Sequence, residues 1–155
     1  MKKPSSTPHR ELYISRVYDA SRNQVFRAWT EVEHMCRWWG PKDFTNHSCE
    51  IEGRVGGRLS IVMRGPDGQD YPMRGTFTEF KVPERLAFDF EALDKEDKAV
   101  LRGRLTLILA DEGGKTRLSL STYAEGDGDD AAQKLAGMET GWNQSLERLA
   151  ATLKI

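Results

Sequence analysis

Two His-x-Cys pairs, His34 with Cys36 and His47 with Cys49, supply the ligand types that zinc takes. On a helix, residues i and i+2 project about 200° apart, so His34 and Cys36 diverge; on a strand, His47 and Cys49 share a face. Two such residues do not complete a tetrahedral site, and no metal is expected. The stretch Glu125, Asp127, Asp129 alternates like a calcium loop. Its sixth position, however, is Asp130 where the sharp turn needs Gly, and its twelfth is Ala136 where a bidentate Glu belongs. Gly53-Arg54-Val55-Gly56-Gly57 is glycine-rich, but a strand pattern follows it, whereas a phosphate cradle opens onto a helix N-terminus. It reads as a tight turn or bulge. There is no G-x-S-x-G, no H-E-x-x-H and no motif joining a nucleophile to a His base. No catalytic residue and no cofactor are therefore assigned.

Two charges share strand faces with apolar side chains: Arg16 with Ile14 and Tyr18, and Glu79 with Phe77. Either could point inward and orient the polar end of a ligand. Burying such a charge unpaired is costly, so the competing reading has each near a strand end, reaching water or a local partner. The remaining candidates are bulky. Trp38 and Trp39 precede a Gly40-Pro41 stop, and Met63, Met73, Phe77, Phe88, Phe90, Met138 and Trp142 fall on the apolar faces of their segments. Together these nine could line a pocket whose flexible thioethers adapt to varied ligands. They could equally fill a solid core, which large aromatics normally dominate.

The elements that position these residues follow from periodicity. At 155 residues the chain is expected to form one domain over 10–155, behind a flexible lead-in at 1–9 that carries Pro4, Pro8 and Ser5-Ser6-Thr7. Hydrophobic residues make up 38%, enough for a core without metal or disulfide staples. The 23 basic and 24 acidic side chains nearly cancel, which excludes a phosphate-tracking surface, so no nucleic acid is expected as partner. The mainly apolar run Leu105 to Ala110 is far short of the roughly 20 residues that span a bilayer, so no membrane is expected either. With two cysteines in no C-x-x-C pattern, the expectation is a cytoplasmic protein with reduced thiols.

Leu12 to Tyr18 alternates as a strand. Ser21 with Gln24 and Thr30 with Glu33 are capping-box signals that predict two short helices. Alternating segments separated by Gly56-Gly57, Gly65-Pro66-Asp67-Gly68, Pro83-Glu84, the charged loop 94–98 and Gly113-Gly114 raise the strand count to seven, in an antiparallel rhythm. Asp127, Asp129 and Asp130 suit a helix start. From there Leu135, Met138, Trp142, Leu146, Leu149 and Leu153 predict one long amphipathic helix, laid across the concave face of the sheet.

Several motifs sharpen this order. Tyr18-Asp19-Ala20-Ser21 leads into Val25-Phe26-Arg27-Ala28-Trp29-Thr30, followed by Glu33-His34 and Arg37-Trp38-Trp39-Gly40-Pro41. Further along stand Arg54-Val55-Gly56-Gly57-Arg58, Arg64-Gly65-Pro66-Asp67-Gly68, Gly75-Thr76-Phe77-Thr78-Glu79, Pro83-Glu84-Arg85-Leu86 and Gly141-Trp142-Asn143-Gln144-Ser145-Leu146. From about 12 to 153 the chain resembles stand-alone members of the Hsp90-ATPase-activator-homologue family, within the START/polyketide-cyclase-like superfamily. The resemblance implies an α+β helix-grip fold, a seven-stranded curved sheet around the C-terminal helix with a cavity between them. It implies a protein that binds an apolar or aromatic small molecule there. Two alternatives stand beside it. One is a protein-interaction module, a homodimer or a co-chaperone-like regulator. The other is a cyclase or dehydratase-like enzyme using the same cavity. An interior acid-base pair would favour the enzyme, a dry closed core the interaction module, and an apolar cavity the binding protein. Gly75, on the Phe77 face, is the position expected to fill such a cavity when enlarged to Leu.

Overall fold

The computed structural model describes residues 8–153, so positions 1–7 of the expected lead-in lie outside the described residues; β1 (His9–Tyr18) already starts at His9. Two short helices follow, α1 (Arg22–Thr30) and α2 (Val32–Trp38). Six strands come next: β2 (Thr45–Ile51), β3 (Arg58–Arg64), β4 (Asp70–Lys81), β5 (Arg85–Leu93), β6 (Ala99–Glu112) and β7 (Lys115–Glu125). The chain closes with α3 (Asp129–Ala136) and α4 (Met138–Leu153). The seven strands form one sheet in the order β1-β7-β6-β5-β4-β3-β2, antiparallel throughout. The helices lie against its inner face, in the α+β helix-grip arrangement.

The first helix starts where the sequence places it. The Ser21 hydroxyl accepts from Gln24 N at 3.2 Å while the Gln24 side chain accepts from Ser21 N at 3.0 Å, a complete capping box. Ser21→Ala removes one half of it and is expected to lower stability by about 1 kcal/mol, read as a shift of the urea midpoint. The second capping signal fails. Thr30 is the last residue of α1, its hydroxyl donating back to Phe26 O, and α2 is capped by Glu31 with no side-chain bond. The acidic residues before α3 likewise do not cap it. Gly128 (φ 94°) holds the N-cap, and Asp129 and Asp130 sit in the first turn, where they oppose the dipole.

The long C-terminal helix is divided. Gly137 ends α3, and Arg10 from β1 donates to Leu135 O and Ala136 O, occupying carbonyls that the break frees. Each half then has its own packing: Ala131 and Leu135 of α3 join Leu101 and Ala124 of β6 and β7, while Leu146 and Leu149 of α4 enter the main core. Tyr18, buried on β1, donates to Leu146 O at 3.1 Å, and burial pushes its phenol above the ordinary range.

Packing of α2 on edge strand β2 makes neighbours of Cys36 and Cys49, expected as reduced thiols: they lie 6.3 Å apart at Cα, a separation that a disulfide can span. Cysteine spacing carries no information about that distance. Among the described residues no cluster of His, Cys, Asp or Glu could hold a metal.

Candidate functional site

A cavity of about 380 Å³ opens between the sheet and the last two helices. Its origin is a set of small side chains facing one another. Ala92 and Ala124 on the sheet oppose Gly137 and Gly141 on the helices, with Gly40 at one edge. The sheet is also bent hard at this level, where one row across four strands runs Gly75, Phe90, Gly103, Ala124. A Cβ on Gly103 would lie 1.8 Å from Tyr123 O, and one on Gly75 would lie 2.4 Å from Asp89 O, so only glycine allows the strands this coil. Gly75 is thus a point of close strand approach and is not among the residues lining the cavity; leucine there would strain β4 and β5.

Seven of the nine bulky candidates line this space: Trp39, Met63, Met73, Phe88, Phe90, Met138 and Trp142. Trp38 and Phe77 do not. Trp38 is 0% exposed and donates from Nε1 to Ala28 O at 2.8 Å, behind Trp39. Phe77 is buried edge-on between Phe80 and Phe88. The reason for the first is local: Trp38 ends α2 and Trp39 is its C-cap, so the two neighbours leave the backbone in different directions and only one reaches the cavity.

All four tryptophans meet here. Trp29 stacks on Trp142 at 6.0 Å and 13°, Trp39 meets Trp142 edge-on at 5.4 Å, and Trp38 sits 4.7 Å from Trp29. Trp39 and Trp142 form the cavity-side half of the cluster and Trp29 and Trp38 its backing, an arrangement that couples any occupant to the indole fluorescence.

The two charges left open by the sequence resolve to local partners away from the cavity lining. Arg16 donates to Asn143 Oδ1 at 2.6 Å and to Ser15 O, tying β1 to α4. Glu79 pairs with Arg85, whose guanidinium holds the carboxyl below its usual range, and both side chains are partly exposed.

Residues that sequence reasoning missed hold the wall formed by Trp39, Gly40, Pro41 and Phe44. Arg148 of α4 donates to the carbonyls of Arg37, Trp39, Gly40 and Pro41 at 2.9–3.3 Å, taking up the open end of α2. Burial lowers its affinity for the proton without threatening its charge. Asn46 Nδ2 donates to Cys36 O and Trp39 O, and Gln144 Oε1 accepts from Lys42 N. None has a local sequence signal, because each partner is set by tertiary packing. Thr122 donates to Arg104 O, and Tyr71 turns its hydroxyl onto Asp67 Oδ2 at 2.8 Å. The lining therefore presents little polar chemistry: an apolar cage with one charged side chain, Lys134.

The comparisons with known proteins agree with this architecture. The family model described as Activator of Hsp90 ATPase homolog 1-like protein matches residues 19–154. The crystal structure of a Chromobacterium violaceum protein superposes with a TM-score of 0.80 at 26% identity, covering 94% of this chain and 98% of that one. The AHSA1 protein of Silicibacter pomeroyi gives 0.78 at 26% identity over 93% and 97%. A solution structure from Arthrobacter aurescens gives 0.77 at 27% identity over 92% and 85%. No curated protein matches the chain.

Proposed function

The chain belongs to the Activator of Hsp90 ATPase homolog 1-like family, and within it we propose that this protein binds an apolar or aromatic small molecule between the sheet and α4 and carries out no chemistry on it. The observation that carries the reading is the cavity itself. Its volume of about 380 Å³ falls in the roughly 300–1,000 Å³ range of small-molecule sites, with apolar walls and a few polar groups at fixed places. Of the polar lining groups, Thr122 and Tyr71 are already engaged with the protein, and Gln133 and Ser145 carry an amide and a hydroxyl with no acid-base partner among the lining residues, so no proton shuttle is assembled there. A core closed at this level would have favoured the interaction module instead.

The test is saturable binding of a panel of apolar and aromatic probes, followed by tryptophan fluorescence and by thermal melts. Binding beside Trp39 and Trp142 should quench or shift the emission. A probe at 100 times its dissociation constant should stabilise the fold by about 2.7 kcal/mol, because the unfolded chain has no cavity. Trp142→Phe should keep the fold and alter the optical response. If no probe gives either signal, the binding reading fails and the interaction module takes its place.

A further inference from the structure

The charge at the cavity mouth narrows the ligand class. Lys134 projects from α3, which packs over β6 and β7 through Ala131 and Leu135, and its Nζ lies 4.9 Å from the centroid of the Tyr71 ring on β4. The side chain therefore reaches across the opening from one wall toward the other instead of leaving for solvent. It is the one charged side chain among the cavity-lining residues, and no ion pair engages it among the described residues. Asp67, the carboxylate beside the same ring, is taken up by Tyr71 Oη and Gln69 N. The ring face holds the cation by its quadrupole and does not neutralise it.

An apolar chamber with a single uncompensated cation at its rim matches a molecule of the same polarity pattern. We infer that the cavity takes an apolar monocarboxylate, its hydrocarbon or aromatic body among Met63, Met73, Phe90 and Trp142 and its carboxylate on Lys134 Nζ. This rests on the reading of the cavity as a ligand site and adds the acid end to it. The body contributes affinity through buried area. The ion pair contributes selectivity, since a carboxylate brought to an apolar mouth without a counter-charge loses hydration and gains nothing.

Calorimetric titration with two matched pairs of probes separates these contributions: decanoate against decanol, and naphthylacetate against naphthylethanol. The pairs also distinguish an acyl-chain from an aromatic-acid ligand. At neutral pH and low salt the wild-type protein should prefer the acid of at least one pair by about five- to tenfold, the scale of an ion pair at a half-buried rim. Lys134→Met should reverse that preference while leaving alcohol affinity nearly unchanged, and Lys134→Arg should restore it. Equal acid-to-alcohol ratios in wild type and Lys134→Met overturn the carboxylate inference and leave the cavity reading standing. Absence of binding by all four probes to the wild-type protein overturns both.

Discussion

Trp38→Ala should cost about 3–5 kcal/mol, a large share of the 5–15 kcal/mol that holds a typical domain together, and should bring the variant near or below its folding threshold at physiological temperature. The size follows from position. Trp38 is fully buried beneath Trp39, edge-on to Trp29, and its Nε1 proton satisfies the Ala28 carbonyl. Truncation opens a void at the junction of α1 and α2 and removes that hydrogen bond together. Trp38→Phe keeps most of the volume and should cost less, about 1–3 kcal/mol. Because Trp38 lies behind the cavity wall, Trp38→Phe should also leave probe affinity unchanged, whereas Trp39→Phe or Trp142→Phe should alter it. Urea unfolding and probe titration on the same preparations make the comparison. A loss below about 1 kcal/mol for Trp38→Ala would mean that the side chain is not packed in the core as described.

The same contrast shows what the sequence can and cannot carry. Ser21 and Gln24 are three residues apart and their mutual hydrogen bonds depend on nothing beyond the helix turn, so the start of α1 was legible. The strands were legible for a similar reason: period-two burial of Leu105, Leu107 and Leu109, or of Leu118 and Leu120, is imposed by one sheet with one covered face. The division of the last helix was not, because Leu135, Met138 and Trp142 keep helical spacing across Gly137 and a single glycine is tolerated within such a pattern. The break is met by Arg10, more than a hundred residues earlier, whose guanidinium donates to the carbonyls of Leu135 and Ala136 beside it.

The site divides along the same line. Hydrophobic faces were readable, and Met63, Met73, Phe88, Phe90, Met138 and Trp142 line the cavity. The space between them was not, because it comes from residues that contribute little side chain: Ala92, Ala124, Gly137 and Gly141. Small residues leave no periodic signal, and only the packed fold shows which of them face one another. Lys134 was hidden differently: as one charge on an amphipathic helix it looks solvated, and only the passage of Tyr71 beneath it turns it toward the mouth.

The small residues also provide the sharpest separation of fold from function. Gly141→Leu should hold or raise stability and lower probe affinity at least about tenfold, or 1.4 kcal/mol. Gly141 lies inside α4 with no left-handed φ, and a Cβ there would meet only Pro41 Cγ at 3.6 Å, an ordinary contact. Replacing a helical glycine by a residue with higher propensity gains about 0.5–1 kcal/mol, chiefly by restricting the unfolded chain. The added isobutyl group then competes with an occupant for the cavity beside Met138 and Trp142. Gly141→Ala, with one added carbon, should share the gain in stability and bind almost as the wild type does. Gly75→Leu is the opposite control: its Cβ meets the Asp89 carbonyl, so it should lose stability first and binding only as a consequence. Retained stability with lost affinity cannot come from unfolding, so that combination in Gly141→Leu places the occupant against α4. Wild-type affinity in a well-folded Gly141→Leu would put the ligand elsewhere and end the proposal that this cavity is the binding site.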